Sequence, residues 1–349
     1  MSIRILGSFQ HAEKAEEKRM QLHVVLAQVT PNELGKGDVR AILPRMRELT
    51  EIAAKQGADV IVFPEYFLTG SSHEAWHQVR WHDPINSKEE DPDWLAIIQD
   101  MARTNEIAIV TGSAVVLHDD DPTQQLYNIT YFIDYRGRIR GSYTKRHLWH
   151  AERAILSNAT DESHPAKDYP PLFLFKTKRG LKLRASMLMC WDLMFPESFR
   201  RLLSAPGRFS SDLDEKDRFA GPDVVFAPTC WYADDSGPRA LAWNKNCEAA
   251  CLDAVCVSRA MENECFVCMC NAAGPSIGSP RGLGHSSCNA PLLGCSARVE
   301  DEKEALLFHT LPIEAMLTAR DIFKIRHDMG TGILSMPMVP VPADKEDDS

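Results

Sequence analysis

The sequence has no run approaching the ~20 consecutive apolar residues that cross a bilayer, so no membrane span is expected. It has no positive balance either. Lys and Arg number 39 against 49 Asp and Glu, a net charge of −10. That argues against nucleic acid or an anionic membrane as a main partner. The first twenty residues lack an apolar leader: one short apolar patch gives way to Glu13, Lys14, Glu16, Glu17, Lys18 and Arg19. They read as a lead-in and the expected location is cytoplasmic. No internal repeat is visible, and no linker splits the chain into halves. Cysteine is not scarce, at ten residues, but Cys265-Phe-Val-Cys268 has no second C-x-x-C to pair with. In a chain without a secretory leader most of these thiols are expected to be small buried hydrophobes, with neither a disulfide framework nor a metal.

What is present is alternation of strand and helix signals over 349 residues. Apolar, β-branched runs predict strands at 21–28, 60–63, 107–116, 127–135, 139–143, 173–175, 181–189, 223–228 and 265–271. Apolar residues recurring at three and four predict helices at 39–57, 93–105, 198–203 and 239–262, the first closed by Gly57. The segment 158–171 reads as a polar loop, 204–217 as a surface insertion, and 274–284 as a Gly-, Pro- and Ser-rich loop near a pocket or interface. Residues 331–349 turn Pro-rich and then acidic, and disorder is expected at that end. The element order predicts a single α/β domain of the α+β type over 21–330, with two sheets packed between helical layers.

Three apolar runs end abruptly in a reactive side chain. Cys190 closes 185–190 and is followed by Trp191-Asp192-Leu193-Met194-Phe195-Pro196-Glu197. Glu65 closes Val60-Ile61-Val62-Phe63-Pro64. Lys145 precedes Arg146-His147-Leu148-Trp149. Most cysteines are buried hydrophobes, and most glutamates and lysines are solvated. Here the flanks favour chemistry. A thiol at a strand exit can face a pocket, but it needs a nearby base or cation to act as a nucleophile. Glu65 has apolar neighbours on both sides, and burial raises a carboxyl pKa into the range of a general base. The Lys145 ammonium can stabilise an oxyanion together with a backbone N–H after the nucleophile. Glu152 lies two helical turns beyond Lys145 if that stretch is helical, where it can orient the lysine or polarise substrate. His147 and His150 offer a papain-like alternative, but neither has a flanking triad partner.

Pro64-Glu65, Tyr143-Thr144-Lys145-Arg146-His147-Leu148-Trp149 and Cys190-Trp191-Asp192-Leu193-Met194-Phe195-Pro196-Glu197 resemble the three signature segments of the nitrilase superfamily, the carbon–nitrogen hydrolases. Asp223-Val-Val-Phe-Ala-Pro228-Thr-Cys-Trp231, Ser258-Arg259-Ala260-Met261-Glu262-Asn263-Glu264-Cys265-Phe266-Val267 and the pair Asn271-x-x-Gly274 with Gly284-x-Ser286 resemble further family stretches, in the right order over 21–325. The resemblance implies a four-layer α-β-β-α sandwich and a Glu65–Lys145–Cys190 triad, with Glu152 as a second glutamate. It also implies association into a homodimer or larger homo-oligomer. The chain departs from the pattern by extra length at 158–171 and 204–217.

The expected activity is thiol amidohydrolysis of a small amide to acid and ammonia through a Cys190 thioester, with no cofactor. Tyr66, Trp191 and Trp231 are expected to contact the substrate. Hydrolysis of a nitrile is the alternative. Cys190-Trp191-Asp192, where nitrilases usually carry Cys-Trp-Glu, favours the amide. An alternative of another class is a catalytically silent binding protein or a zinc-holding module using residues 265–270.

Overall fold

A computed structural model describes residues 3–10, 20–85, 94–117, 125–158, 171–204 and 221–330. The C-terminal tail, nearly all of the 158–171 loop and the body of the 204–217 insertion lie outside them. The apolar runs form two sheets. The first takes β1 (Arg4–Gly7), β2 (Gln21–Gln28), β3 (Val60–Val62), β4 (Ala108–Val110), β5 (Ala114–Leu117), β6 (Leu126–Ile133), β7 (Ile139–Thr144) and β8 (Leu156–Ser157). The second takes β9 (Leu172–Lys176), β10 (Lys182–Met187), β11 (Val224–Thr229), β12 (Phe266–Asn271), β13 (Ser287–Ala290) and β14 (Gly294–Arg298). The chain then returns to the first sheet as β15 (Ala305–Pro312), between β1 and β2. The helices are α1 (Leu43–Lys55), α2 (His73–His77), α3 (Trp94–Asn105), α4 (Pro196–Ser204), α5 (Gly237–Leu241), α6 (Cys247–Glu262), α7 (Ile313–Phe323) and α8 (Ile325–Gly330).

Strand alternation sets the layers. Val24, Leu26, Val60 and Val62 of the first sheet share a core with Phe226, Cys268 and Cys270 of the second. Their neighbours Val25, Ala27 and Ile61 belong to another core with Met46 and Leu49 of α1 and Ile98 and Met101 of α3. Leu252, Cys256 and Ala260 of α6 cover the second sheet. Strands buried on both faces read as continuous apolar runs, and each large side chain so buried contributes ~1.5–3 kcal/mol. The result is the expected α-β-β-α sandwich.

Direction matters more than order for the site. β2, β3 and β4 are parallel, as are β10, β11 and β12. β6 runs antiparallel to β4, and β7 antiparallel to β6, so β7 again runs with β3 and β4. The carboxyl ends of β3, β7, β10 and β11 therefore open toward a common region, which is where ligands bind in sheets of this kind.

Several expectations change in the folded chain. The 107–116 run is two strands broken around Gly112, whose φ is +72°. A Cβ there would lie 2.3 Å from the Pro64 carbonyl oxygen, so only glycine lets the chain pass the residue before Glu65. The 239–262 helix is α5 and α6, separated by residues whose Trp243 is 93% exposed. Asn244 explains the break: its side-chain oxygen takes the Asn246 N–H at 2.9 Å, an alternative to the helical ladder. Within the stretch read as a lead-in, Arg4–Gly7 pairs in parallel with β15. β13, β14, β15 and α7 carry no expectation from the sequence reading. None of the helices among the described residues is long and apolar enough to cross a membrane.

The candidate active site

β10 ends at Met187, and two residues later the backbone turns sharply. Cys190 has a φ of +42°, a region L-residues with a Cβ seldom occupy, and begins the 3₁₀ turn Cys190–Met194. Such a conformation persists only where surrounding contacts impose it. Asp192, fully buried, supplies them on one side. It accepts from the Met189 N–H at 3.0 Å, the Tyr143 hydroxyl at 2.8 Å and the His147 N–H at 2.9 Å. Arg259 supplies them on the other, donating to the carbonyls of Leu193 at 2.9 Å and Met194 at 3.3 Å. Both ends of the nucleophile turn are thus tied to β7 and α6. The sequence carried Asp192 and Arg259 only as motif letters, because a clamp made across 45 to 66 residues leaves no local signal.

Glu65 follows β3 through Pro64, and Tyr66 beside it is also left-handed, at φ +59°. The Tyr66 N–H is held by Ser113 Oγ at 2.8 Å. Glu65 Oε1 accepts from Lys145 Nζ at 2.7 Å and Asn128 Nδ2 at 2.9 Å, and Oε2 from the Cys230 N–H at 3.0 Å. Lys145 begins just past β7, and its N–H donates to the Asn128 carbonyl at 2.9 Å. Its Nζ also donates to Glu152 Oε1 at 2.6 Å. Glu152 accepts from the Tyr66 hydroxyl and, on Oε2, from the Trp149 N–H at 2.7 Å. The four expected residues are therefore together: Glu65 and Lys145 fully buried, Glu152 and Cys190 nearly so. Glu152 arrives by a different route from the one its spacing suggests. The segment after Lys145 is a string of turns, and Glu152 opens the 3₁₀ turn Glu152–Ala154. His147 does not join the group; its Nδ1 lies 2.7 Å from Asp192 and its ring stacks on Phe195 at 3.9 Å.

Burial and charge set the proton affinities. Burial raises the Glu65 carboxyl to about 7, against the pull of the Lys145 ammonium, with Glu152 adding to the rise. Burial and then Glu65 push the Cys190 thiol above its ordinary value, although Lys145 pulls the other way. For Lys145, burial alone would lower the ammonium, but Glu152 and Glu65 outweigh it and hold the group above the usual lysine value. The resting state that follows is a thiol beside a carboxyl poised near neutrality, with a permanent cation between two glutamates. Such a set can pass a proton from thiol to carboxyl as sulfur attacks, with the ammonium placed to meet developing negative charge.

The thiol opens into a cavity of about 140 Å³. Tyr66, Trp191 and Trp231, expected at the substrate, all line it. Sequence reasoning missed Ser71, Trp76, Trp149, Cys230, Tyr232 and Asp235, which line it too. Tyr66 differs from a plain wall residue, since its hydroxyl is committed to Glu152. The Trp231 loop is fixed by Asn271, which takes the Trp231 N–H at 2.8 Å and returns a bond to its carbonyl at 3.0 Å. Away from the cavity, Cys270 Sγ lies 3.3 Å from the Ala27 carbonyl and 3.1 Å from that of Val62, joining the sheets. Among the described residues, no three His, Cys, Asp or Glu side chains are grouped to hold a metal.

Residues 24–208, more than half of the chain, match the carbon-nitrogen hydrolase family. The chain belongs to that family. It is an enzyme acting on carbon–nitrogen bonds other than peptide bonds. A 2-oxoglutaramate amidase of Paenarthrobacter nicotinovorans is 26% identical over 290 residues, covering 82% of this chain and 82% of its own length. Another from Bacillus subtilis is 27% identical over 219 residues, 62% of this chain and 64% of that one. Among solved structures, Saccharomyces cerevisiae Nit3, a member of branch 10 of the nitrilase superfamily, aligns at a TM-score of 0.61 and 20% identity, over 86% of this chain and 94% of its own. An amidase from Nesterenkonia sp. AN1, carrying the acetamide moiety of fluoroacetamide on its active-site cysteine, aligns at 0.58 and 20% identity, over 91% and 98%. These two likenesses establish the fold of the carbon–nitrogen hydrolase and agree with the superfamily resemblance of its motifs.

Proposed function

We propose that this carbon–nitrogen hydrolase is a thiol amidase: it cleaves a small amide to a carboxylic acid and ammonia. One observation carries the reading. Glu65, Lys145 and Glu152 form one buried hydrogen-bonded group, and Glu152 and the Cys190 thiol line the same cavity. In the reaction, Glu65 takes the Cys190 proton as sulfur attacks the amide carbonyl. Lys145 and the Trp191 N–H meet the oxyanion; the latter sits in the first turn of a 3₁₀ segment, where N–H groups have no intrahelical acceptor. Glu65 then gives its proton to the departing nitrogen, and ammonia leaves a thioester on Cys190. Water, deprotonated by Glu65, attacks the thioester; the acid departs and the thiol regains its proton. Two moderate barriers replace one high one.

Glu152 is the positioning group. It keeps Lys145 charged and aimed while Glu65 changes protonation twice. An amide is favoured over a nitrile because its tetrahedral oxyanion forms where Lys145 already stands, and a tenfold nitrile preference in kcat/KM would reverse that choice. The substrate in the two relatives' name, 2-oxoglutaramate, is an anion. Among the described residues no Lys or Arg lines this cavity, which argues against carrying that substrate over. A cytoplasmic homo-oligomer remains part of the reading, and light scattering at only the 39.2 kDa chain mass would remove the oligomer without touching the chemistry. The decisive test of the amidase itself is ammonia release by Cys190→Ala. The variant should fold, because the side-chain change is small, and should release none above background; near-normal turnover would end the proposal.

A further inference from the structure

The charge of the cavity wall is one-sided. Among the described residues its lining holds the carboxylates of Glu152 and Asp235 and no lysine or arginine. The site's own ammonium, Lys145, is already shared by Glu65 and Glu152. Asp235 is half-buried, and Oδ2 accepts the Tyr232 N–H at 2.9 Å. It makes no ion pair among the described residues. Its carboxyl is raised to about 7 by burial, the Tyr232 bond opposing, with Glu248, Asp234 and Glu152 raising it further. The same lining carries Trp149, Trp191 and Trp231. Trp149 and Trp191 meet at 4.4 Å between centroids, and Trp191 and Trp231 at 5.5 Å. Trp231 Nε1 is held by Glu248 at 2.6 Å, so the indole cannot turn to offer a donor to an anion. The electron-rich faces of indoles attract cations and offer nothing to a carboxylate. Among the described residues of the lining His73, its ring tilted against Trp76 at 5.1 Å, is the remaining basic one.

A half-buried carboxyl that makes no ion pair among the described residues, on a lining rich in tryptophan, is a receptor for positive charge. We propose that the acyl part of the substrate carries a cation, an ammonium or guanidinium a few carbons from the amide, bound by Asp235 and the tryptophan wall. The inference rests on the amidase reading and names the substrate class of that site. It makes Asp235 a specificity residue: the cation–carboxylate contact helps seat the scissile carbonyl against Cys190, which lines the same cavity.

Three amides of equal length separate the possibilities: 4-aminobutanamide, pentanamide and glutaramate differ only in a terminal ammonium, methyl or carboxylate. We expect kcat/KM to fall in that order, with the ammonium amide at least tenfold above the neutral one. In Asp235→Asn the residue keeps an acceptor for the Tyr232 N–H but loses its charge, and the ammonium-to-methyl ratio should drop tenfold or more, about 1.4 kcal/mol of selectivity. A purely structural role for Asp235 would change both rates and leave the ratio alone. Ammonia from all three amides without this order, or an unchanged ratio in Asp235→Asn, overturns the inference and leaves the amidase reading standing. No ammonia from any of them overturns both. Should Asp235→Asn fail to fold, the order among the three amides on the unaltered enzyme still decides.

Discussion

The two ends of the second sheet carry buried charge of opposite balance. At the start of β11, Asp223 accepts from the Arg184 N–H and guanidinium and from Arg320, each at 2.8 Å. Arg326 joins through the Pro222 and Asn263 carbonyls, both at 2.6 Å. Cations are in excess there. Burial would raise the Asp223 carboxyl, but Arg184 and Arg320 win and hold it below its ordinary value. Arg326, by contrast, is pushed down to about 10 by burial and by Arg320. At the carboxyl ends of β10 and β11 the balance reverses: two glutamates and a thiol share one lysine, and Glu65 rises to about 7. An excess of cations locks a carboxylate in one state and makes a brace. An excess of carboxylates leaves one of them free to change state near neutrality, which general base catalysis requires.

The largest effects should come from breaking the reactive end. Glu65→Gln and Lys145→Ala should each lower kcat/KM on the order of 10⁴-fold or more, and the double variant should lose little beyond the worse single one, since the members act as a unit. Additive losses in steady-state ammonia release would mean that the two residues do not share one step. Stability should move little in Glu65→Gln, because the neutral amide oxygen still accepts from Lys145 and Asn128; Lys145→Ala, which leaves Glu65 and Glu152 buried without their cation, should also be destabilised.

Breaking the brace should do the opposite. Asp223→Ala leaves Arg184 and Arg320 facing each other without their carboxylate, a loss of about 3–5 kcal/mol for a buried pair. The urea midpoint should fall accordingly, while turnover per folded molecule stays near that of the parent. The sign with pH follows from the lowered carboxyl. Its contribution is present above the unfolded value near ~3.9 and is lost as pH falls through the lower folded value. Asp223→Ala should therefore differ most from the parent at neutral pH and least in strong acid. A variant as stable as the parent at pH 7 would show that the arginines, and not the pair, do the holding.

The pH dependence of activity sharpens the contrast further. Glu65 must be ionised to accept the thiol proton, and its folded value is about 7. Below that pH, kcat/KM should fall tenfold per unit; above it, the rate should level off. An acid limb near the ordinary glutamate value of ~4.3 would mean that Glu65 is solvated during turnover and that its burial plays no part.

The sequence disclosed the reactive end better than the brace, for a physical reason. A thiol, a carboxyl and an ammonium at the ends of apolar runs carry both a local pattern and a motif, so Glu65, Lys145, Cys190 and Glu152 could be singled out as candidates before the fold placed Glu65 and Glu152 on Lys145. Asp223 and the arginines around it are ordinary charged letters until the fold brings 184, 223, 320 and 326 together. The same holds inside the site: Asn128 and Asp235 lie on a strand and in a turn with no nearby signal. Of the fold, strands buried on both faces announced themselves. The region after 284 did not, because β13 is Ser-Cys-Asn-Ala and owes its strand state to pairing with β12. The 239–262 helix was over-read because its apolar spacing runs straight through Asn244, whose side chain competes for the backbone.

The smallest expected change tests how the carboxylate excess is tuned. The Tyr66 hydroxyl and Lys145 Nζ both donate to Glu152 Oε1, so Tyr66 disperses part of that carboxylate's charge. Glu152 in turn raises Glu65. Tyr66→Phe removes the hydroxyl and keeps the ring, which leaves Glu152 more strongly negative toward Glu65. The acid limb of kcat/KM should then move up by a fraction of a pH unit. One buried hydrogen bond is worth about 0.5–1.5 kcal/mol, so the rate above the limb should fall by tenfold at most. The two readouts separate the roles of the residue. A wall residue that touches only substrate would change KM and leave the limb where it was, whereas a residue acting through Glu152 must move the limb, and move it upward. A downward shift would mean that the hydroxyl serves Glu65 by some path other than Glu152, and the order of charges along Tyr66, Glu152, Lys145 and Glu65 would have to be redrawn.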